Sequence, residues 1–402
     1  MRIGFGSTDW GDHVEGQPGG CTNMRAMIPA KGLAEIGHEV MVGEIGWKSG
    51  EGFVIVPPIA RLSNTSNRAP IKKYDQCFDK LDVVVLKLFM WKEASEYIKK
   101  AQAYGQTVII DTDDHFEQLP IDNLAYHTTD PKSNPDNNRK HLIDTYRVAD
   151  GIITSTKFLE EKALRHNKIV YRVPNSLDPS EFIRRLDTSG TDPTIGWIGI
   201  MLWRVEDIKE VGAPLRTVLD KHNLKFHHSG IVLDNPTWFA EAAGFDPERM
   251  TGFVGARPQY YANIFMPIDI GIVPLTNNPF NEAKSSLKGL EYAMSMIPFV
   301  ASDTQEYRDL AELGCGRIAR KPKDWIRHLE ELLDPDVRIA EAHRNFEIAV
   351  NNFSIFKMKY KWSEAIELIH MNAQSERKKN KVVIKSTGQK GFDPTKFLAA
   401  KS

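Results

Sequence analysis

Lys284, Ser285, Ser286, Lys288 and Glu291 have the types and spacing to hold a phosphate and a pair of hydroxyls together. Ser285 or Ser286 stands where a helix is predicted to begin. Free backbone N–H groups and the helix dipole favour a phosphate there. Lys284 precedes that helix and Lys288 lies in its first turn, so either ammonium could neutralise a leaving phosphate as its charge grows. Glu291 follows Lys288 by one turn on the same face. It lies about 9 Å along the axis from Ser285, at ~1.5 Å per residue. A carboxylate at that distance can accept two hydroxyls at once. The plain alternative is a solvated Lys288–Glu291 pair that contributes only a few tenths of a kcal/mol.

A second group lies in the N-terminal half. The apolar run from Thr107 ends in Asp111, Thr112, Asp113, Asp114 and His115. The carboxyl ends of strands in open α/β sheets face the ligand crevice. Asp113, Asp114 and His115 are therefore candidate catalytic residues, and one of them could accept a proton from an attacking hydroxyl. An Asp-rich turn that caps the next element is the competing explanation. Gly19 and Gly20, in the loop Gly16–Gly20, would let the backbone approach a phosphate closely; a simple tight turn is the alternative. Arg25, on the following helix, could face either the cleft or the solvent.

These residues need rigid elements behind them. Short apolar runs alternate with amphipathic segments, which reads as α/β with mostly parallel strands. The first half predicts strands at Arg2–Gly6, Glu39–Gly43, Asp82–Leu88, Thr107–Ile110, Gly151–Thr154 and Ile169–Val173. Helices are expected at Met24–Gly37 and Lys140–Val148, and a long loop at Pro120–Asn138. Asp187–Pro193 is the linker candidate. The rhythm then restarts, with strands at Thr194–Ile198, Leu224–Ser229, Met250–Val254, Ile268–Pro274 and Pro298–Ser302. Helices fall at Asp207–Lys221 and Ser285–Met294, and a last one at Lys357–Asn372 contains Trp362. The tail beyond Ser375 is polar and basic and reads as disordered.

Composition bounds the rest. The chain has 402 residues, enough for two or three domains, with 41% hydrophobic and 26% charged residues. A net charge of -1 gives no global field toward nucleic acid or an anionic membrane. The three cysteines, Cys21, Cys77 and Cys315, form no metal or disulfide pattern and fit a reducing compartment. There is no signal-peptide pattern, and no stretch nears the ~20 apolar residues of a membrane span. A cytoplasmic protein without integral membrane association is the expectation.

Two segments carry a family likeness. PGGCTNMRAMIPAKGLAEIGHEVMV opens the chain, and DIGIVPLTNNPFNEAKSSLKGLEYAMSMIPFVASD lies in its second half. Together they resemble the GT-B glycosyltransferases, especially the retaining group that uses nucleotide-diphosphate sugars (the family 4-like, or group 1, transferases). The second segment is the sharper, with K-S-x-x-K-x-x-E-Y on a helix before a Pro-led strand.

The resemblance implies two Rossmann-like domains facing a cleft. These are an acceptor domain over 1–187 and a donor domain over 190–345. Helices in 346–372 would return to the first domain, and a basic tail would occupy 373–402. It implies sugar transfer to an acceptor hydroxyl with retention and no required cofactor, a divalent metal being possible but not expected. The acceptor, whether a glycan, a protein side chain or a modified nucleobase, is left open, as are donor identity and oligomeric state. In the family a residue near Asp113–His115 often meets the donor sugar or the acceptor. Gly199 and Arg204, with Lys209 near them, would flank the donor diphosphate, and Phe253 in Gly252–Val254 the base. The family often has an acid eight positions before Glu291. Here that residue is Ala283, with Glu282 beside it as a substitute.

Three alternatives stand beside this reading. Asp111-Thr112-Asp113 matches the D-x-D string by which a different glycosyltransferase fold binds a divalent metal. The same two-domain frame could serve an epimerase, hydrolase or phosphorylase. It could also serve a binding protein without turnover.

Overall fold

The computed structural model describes residues 1–7, 10–12, 17–62, 80–183, 192–202, 204–231, 235–256 and 258–386. Most of the linker candidate Asp187–Pro193, residue Gly16 of the first loop, and residues 387–402 of the tail lie outside the described residues.

The first half builds a seven-stranded sheet from β1 (Arg2–Gly6), β2 (Glu39–Lys48), β3 (Gly52–Leu62), β4 (Val83–Lys87), β5 (Thr107–Thr112), β6 (Gly151–Thr154) and β7 (Val170–Arg172). Their spatial order is β3-β2-β1-β4-β5-β6-β7. All neighbours are parallel except β2 and β3. Alternation of side chains divides β4 and β5 between two cores. Val83, Val85 and Ile109 face one layer, and Val84, Leu86, Val108 and Ile110 the other. The chain reverses its direction of winding at β1/β4, and that switch point is where such sheets open a ligand crevice.

The second half builds a six-stranded parallel sheet from β8 (Ile195–Ile198), β9 (Phe226–Ile231), β10 (Met250–Val254), β11 (Ile270–Val273), β12 (Phe299–Ser302) and β13 (Arg317–Ala319). Their order is β10-β9-β8-β11-β12-β13, with a switch point at β8/β11. Within β9, buried His227 pairs through Nδ1 with Thr251 Oγ1 at 2.9 Å and through Nε2 with Ser229 Oγ at 3.0 Å.

Burial, and then the neighbouring His228, push the His227 pKa down from 6.5 to about 4. The folded protein keeps this ring neutral while the unfolded chain protonates it near 6.5, so its stabilising effect is complete above that pH. It is lost as pH falls from about 6.5 towards 4. Thermal melts across that range should slope less steeply for His227→Gln than for the wild type; parallel slopes would clear His227 of the effect.

The C-terminal helix, Ile355–Ser386, crosses back onto the first sheet. Trp362 is fully buried there, edge-on to Phe5 with ring centroids 5.8 Å apart, and Ile366 and Ile369 continue the contact. The helix extends past the expected stop near Asn372. Arg377 donates to Gln106 O and to both oxygens of Asp150 at 2.9–3.0 Å, so the start of the basic segment is anchored.

Two other elements depart from expectation. The loop Pro120–Asn138 contains a helix, Leu124–Thr129, capped by Asn123 Oδ1 accepting from the Ala125 N–H at 2.9 Å. The sequence predicts no strand over Gly52–Leu62, which forms β3 at the sheet edge, where the missing N–H groups of Pro57 and Pro58 are tolerated. Among the described residues, no helix is long and apolar enough to cross a membrane.

Candidate active site between the two sheets

After β11 and a short helix, Pro279–Glu282, a second helix begins at Leu287 and ends at Met294, with Ser286 at its N-cap and no capping bond from the Ser286 side chain. Ser285 Oγ is 2.9 Å from Asn175 Nδ2, which donates to it from the first half of the chain. Lys288 Nζ is 3.6 Å from Glu291 Oε2. The Tyr261 hydroxyl donates to Glu291 Oε1 at 2.9 Å. Glu291 is only 4% exposed, so this carboxylate is held in place rather than solvated. Burial, and then Glu291's charge, raise the Tyr261 phenol well above its ordinary pKa. Burial lowers the Lys288 pKa, Glu291 opposes that shift, and the Arg204 cation adds to it.

Arg204 immediately precedes the helix Val205–His222 and donates to Asp207 Oδ2 at 2.8 Å. The other Asp207 oxygen accepts from Thr276 N, Thr276 Oγ1 and Asn281 Nδ2 at 2.7–2.8 Å. Buried Asp207 thus ties the loop after β11 to Arg204, and so fixes one cation beside another. Lys209 turns away and pairs with Glu206 on the surface at 2.7 Å.

Gly199 ends β8 at the switch point. A Cβ there would sit 2.7 Å from the Trp197 ring, and one on Gly230 (φ +107°) would sit 2.4 Å from Gly199 O. The second strand end approaches Gly199 this closely only because Gly230 has no Cβ. His228 Nε2 meets Gly199 O at 2.8 Å and fixes it further. Phe253 lies on the edge strand β10, half exposed, with its ring edge-on to His227 at 5.1 Å.

The first half supplies the opposite wall. Gly19 is the N-cap of the first helix, and a Cβ on Gly20 would meet nothing within 4 Å, so this turn leaves open space in front of it. That helix takes a π turn over Asn23–Met27 before continuing over Ile28–Glu35.

Arg25 faces neither cleft nor solvent. It is 1% exposed and grips Asp111 through both carboxylate oxygens, at 3.1 and 2.5 Å. Asp113 Oδ2 is 2.6 Å from buried Lys87 Nζ at the end of β4. Burial opposes ionisation of Asp113, but the Lys87 charge and hydrogen bond prevail and hold its pKa below the ordinary value. Asp114 reaches across to pair with Lys284.

His115 points the other way, edge-on to Phe158 at 5.3 Å and into a small cavity lined by Leu142, Tyr146, Leu159 and Lys162. Burial lowers its pKa, so it is a neutral imidazole near pH 7. A D-x-D metal site would require Arg25 and Lys87 to release Asp111 and Asp113. Glu282 turns toward the helix Gln305–Glu312, where its Oε1 accepts from Gln305 N at 3.1 Å. Ala283 is fully buried, and its carbonyl accepts from Thr156 Oγ1 at 3.2 Å.

The structure therefore gathers Lys284, Ser285, Ser286, Lys288, Glu291 and Arg204 around one helix start, with Asp114 facing them. It sends His115, Glu282 and Lys209 elsewhere. Asn175, Asp207, Tyr261 and Lys87 complete the arrangement without having been singled out in the sequence.

No family model matches the sequence, and no curated protein matches it significantly. Solved structures do match. Sucrose-phosphate synthase from Thermosynechococcus elongatus superposes with a TM-score of 0.62 at 12% identity, covering 92% of this chain and 99% of the other. A glycosyltransferase from Rickettsia africae gives 0.59 at 11%, covering 92% and 98%. HepE of Anabaena, in complex with UDP and glucose, gives 0.55 at 12%, covering 91% and 99%. Identities this low carry the architecture and nothing finer, and the architecture shared across nearly the full length of all these chains is the GT-B fold.

Proposed function

We propose that the chain is a glycosyltransferase that takes its sugar from a nucleoside diphosphate and passes it to an acceptor hydroxyl with retention of configuration. One observation carries the reading. Two cations, Lys288 and Arg204, flank the start of a helix whose buried carboxylate, Glu291, lies one turn further on. A diphosphate at Ser285 and Ser286 would meet the helix dipole and both cations. Glu291 would accept from the ribose hydroxyls, and Gly19–Gly20 would admit the phosphates from the other side.

As the glycosidic bond breaks, negative charge grows on the departing phosphate oxygen, and the same cations stabilise it. That oxygen can take the acceptor's proton on the face from which it left, which gives retention without a separate base. The bound UDP and glucose in the HepE structure support a nucleotide-sugar donor on this fold. Acceptors with sugar, protein or nucleobase hydroxyls all fit the chemistry. The transfer as written uses no metal, and the chain is expected to work as a domain pair over 1–187 and 190–345.

A thermal-shift screen against UDP, GDP and ADP sugars tests this. A nucleotide present at a hundred times its Kd adds about 2.7 kcal/mol to stability. One base should give a clear rise in Tm, and Lys288→Ala should weaken that nucleotide by roughly 10- to 100-fold. A chain that responds to none of them, or a Lys288→Ala variant that binds like the wild type, would overturn the site.

A further inference from the structure

The two aspartates at the end of β5 are paired differently. Asp113 and Lys87 form a buried pair within the first half, with side chains 15% and 4% exposed. Asp114 and Lys284 pair across the cleft, and both are more open, at 27% and 21%. Lys284 directly precedes Ser285 and Ser286, the residues placed against the diphosphate. Its backbone neighbours are fixed independently of its side chain: Thr156 holds Ala283 O at 3.2 Å, and Asn175 holds Ser285 Oγ at 2.9 Å. The Lys284 ammonium also lies 4.3 Å from the centroid of the Phe280 ring. Lys284 can therefore change partner by side-chain rotation alone, while Asp113 and Lys87 stay locked.

We propose that Lys284 is an exchangeable cation that favours donor-first binding: the donor diphosphate takes it from Asp114, and the freed Asp114 carboxylate then accepts a hydrogen bond from the acceptor hydroxyl. This rests on the donor reading above. A diphosphate carries more charge than one carboxylate and lies at a helix start, so it outcompetes Asp114 for the ammonium. Before the donor binds, Lys284 lies against Asp114 Oδ1 and draws on its charge, so the carboxylate is a poorer acceptor for a hydroxyl. The cleft thus favours the hydroxyl once a sugar is present to transfer.

The test is titration calorimetry of full-length wild type, Asp114→Asn, Lys284→Met and the double variant with UDP, GDP and ADP. Asp114 competes for Lys284, so Asp114→Asn should tighten the preferred nucleotide by about fivefold, the scale of a partly exposed ion pair. Lys284→Met should weaken it, and in that background the Asp114 change should have no effect. With the matching sugar nucleotide, and water as acceptor, Asp114→Asn should lower KM while lowering kcat by about tenfold or more. If Asp114 merely holds Lys284 in place for the phosphate, Asp114→Asn weakens binding instead, and the exchange is overturned while the donor site stands. If wild type binds none of the three nucleotides, the donor reading falls, and the exchange falls with it.

Discussion

Glu291→Ala should lower kcat/KM for the sugar-nucleotide donor by about 100-fold or more, the largest loss of activity expected from any single change in this site. Hydrogen bonds to a charged group contribute about 1.5–3 kcal/mol each. Two ribose hydroxyls on one carboxylate therefore amount to roughly 3–6 kcal/mol of donor binding, part of it offset by water. Glu291 also accepts from Tyr261 at 2.9 Å and lies 3.6 Å from Lys288, so alanine would strand a buried phenol beside an unpaired ammonium. Glu291→Gln separates the two effects. It keeps the shape and an oxygen for Tyr261 and removes the charge. Its near-UV circular dichroism should match wild type while donor affinity still falls. Wild-type turnover in both variants would move the nucleotide away from this helix.

The legible parts of the site were those whose chemistry is written into a short stretch of chain. Lys284 to Glu291 share one helix start, so helical spacing alone brings Lys288 and Glu291 to one face, and the structure keeps them 3.6 Å apart. The Rossmann-like rhythm was equally plain, because each buried parallel strand is an uninterrupted apolar run, as in Val83–Leu86. What could not be read were partners distant in sequence. Asp207 meets Thr276 and Asn281, and Tyr261 meets Glu291, only once the second sheet has formed, and Asn175 meets Ser285 only when the two halves come together. The acidic strand end made the same point for direction. Asp113, Asp114 and His115 are consecutive, yet one is locked by Lys87, one reaches Lys284 and one points into the first half's interior. Sequence placed all three at the crevice, but backbone direction past the end of β5 decides which side chain enters it. The extent of the last helix was missed for a related reason. Its basic residues look solvated until Arg377 is seen against Asp150.

Arg25→Ala should be the most destabilising substitution at the margin of the site, costing about 3–5 kcal/mol because the buried Asp111 carboxylate loses the partner that grips both its oxygens. Both side chains are 1% exposed. Arg25 also donates to Val173 O at 2.9 Å and to Asn175 Oδ1 at 3.1 Å, and its guanidinium carbon lies 4.7 Å from the Trp362 ring centroid. One side chain thus joins the first helix, the end of β5, the segment after β7 and the returning C-terminal helix. A drop of roughly 10 °C in Tm is expected, and Arg25→Lys should recover little of it, since an ammonium cannot grip both carboxylate oxygens in the plane of a guanidinium. A loss of less than about 1 kcal/mol would mean that the pair adds no more than a surface contact.

The same group reaches the proposed phosphate site through one intermediary. Asn175 accepts from Arg25 with its oxygen and donates to Ser285 with its nitrogen. Arg25→Ala should therefore also weaken nucleotide binding. Asn175→Ala, which leaves the Arg25–Asp111 pair intact, should reproduce the weaker binding with a much smaller fall in Tm. Equal nucleotide affinity in Asn175→Ala and wild type would confine Arg25 to a purely stabilising role.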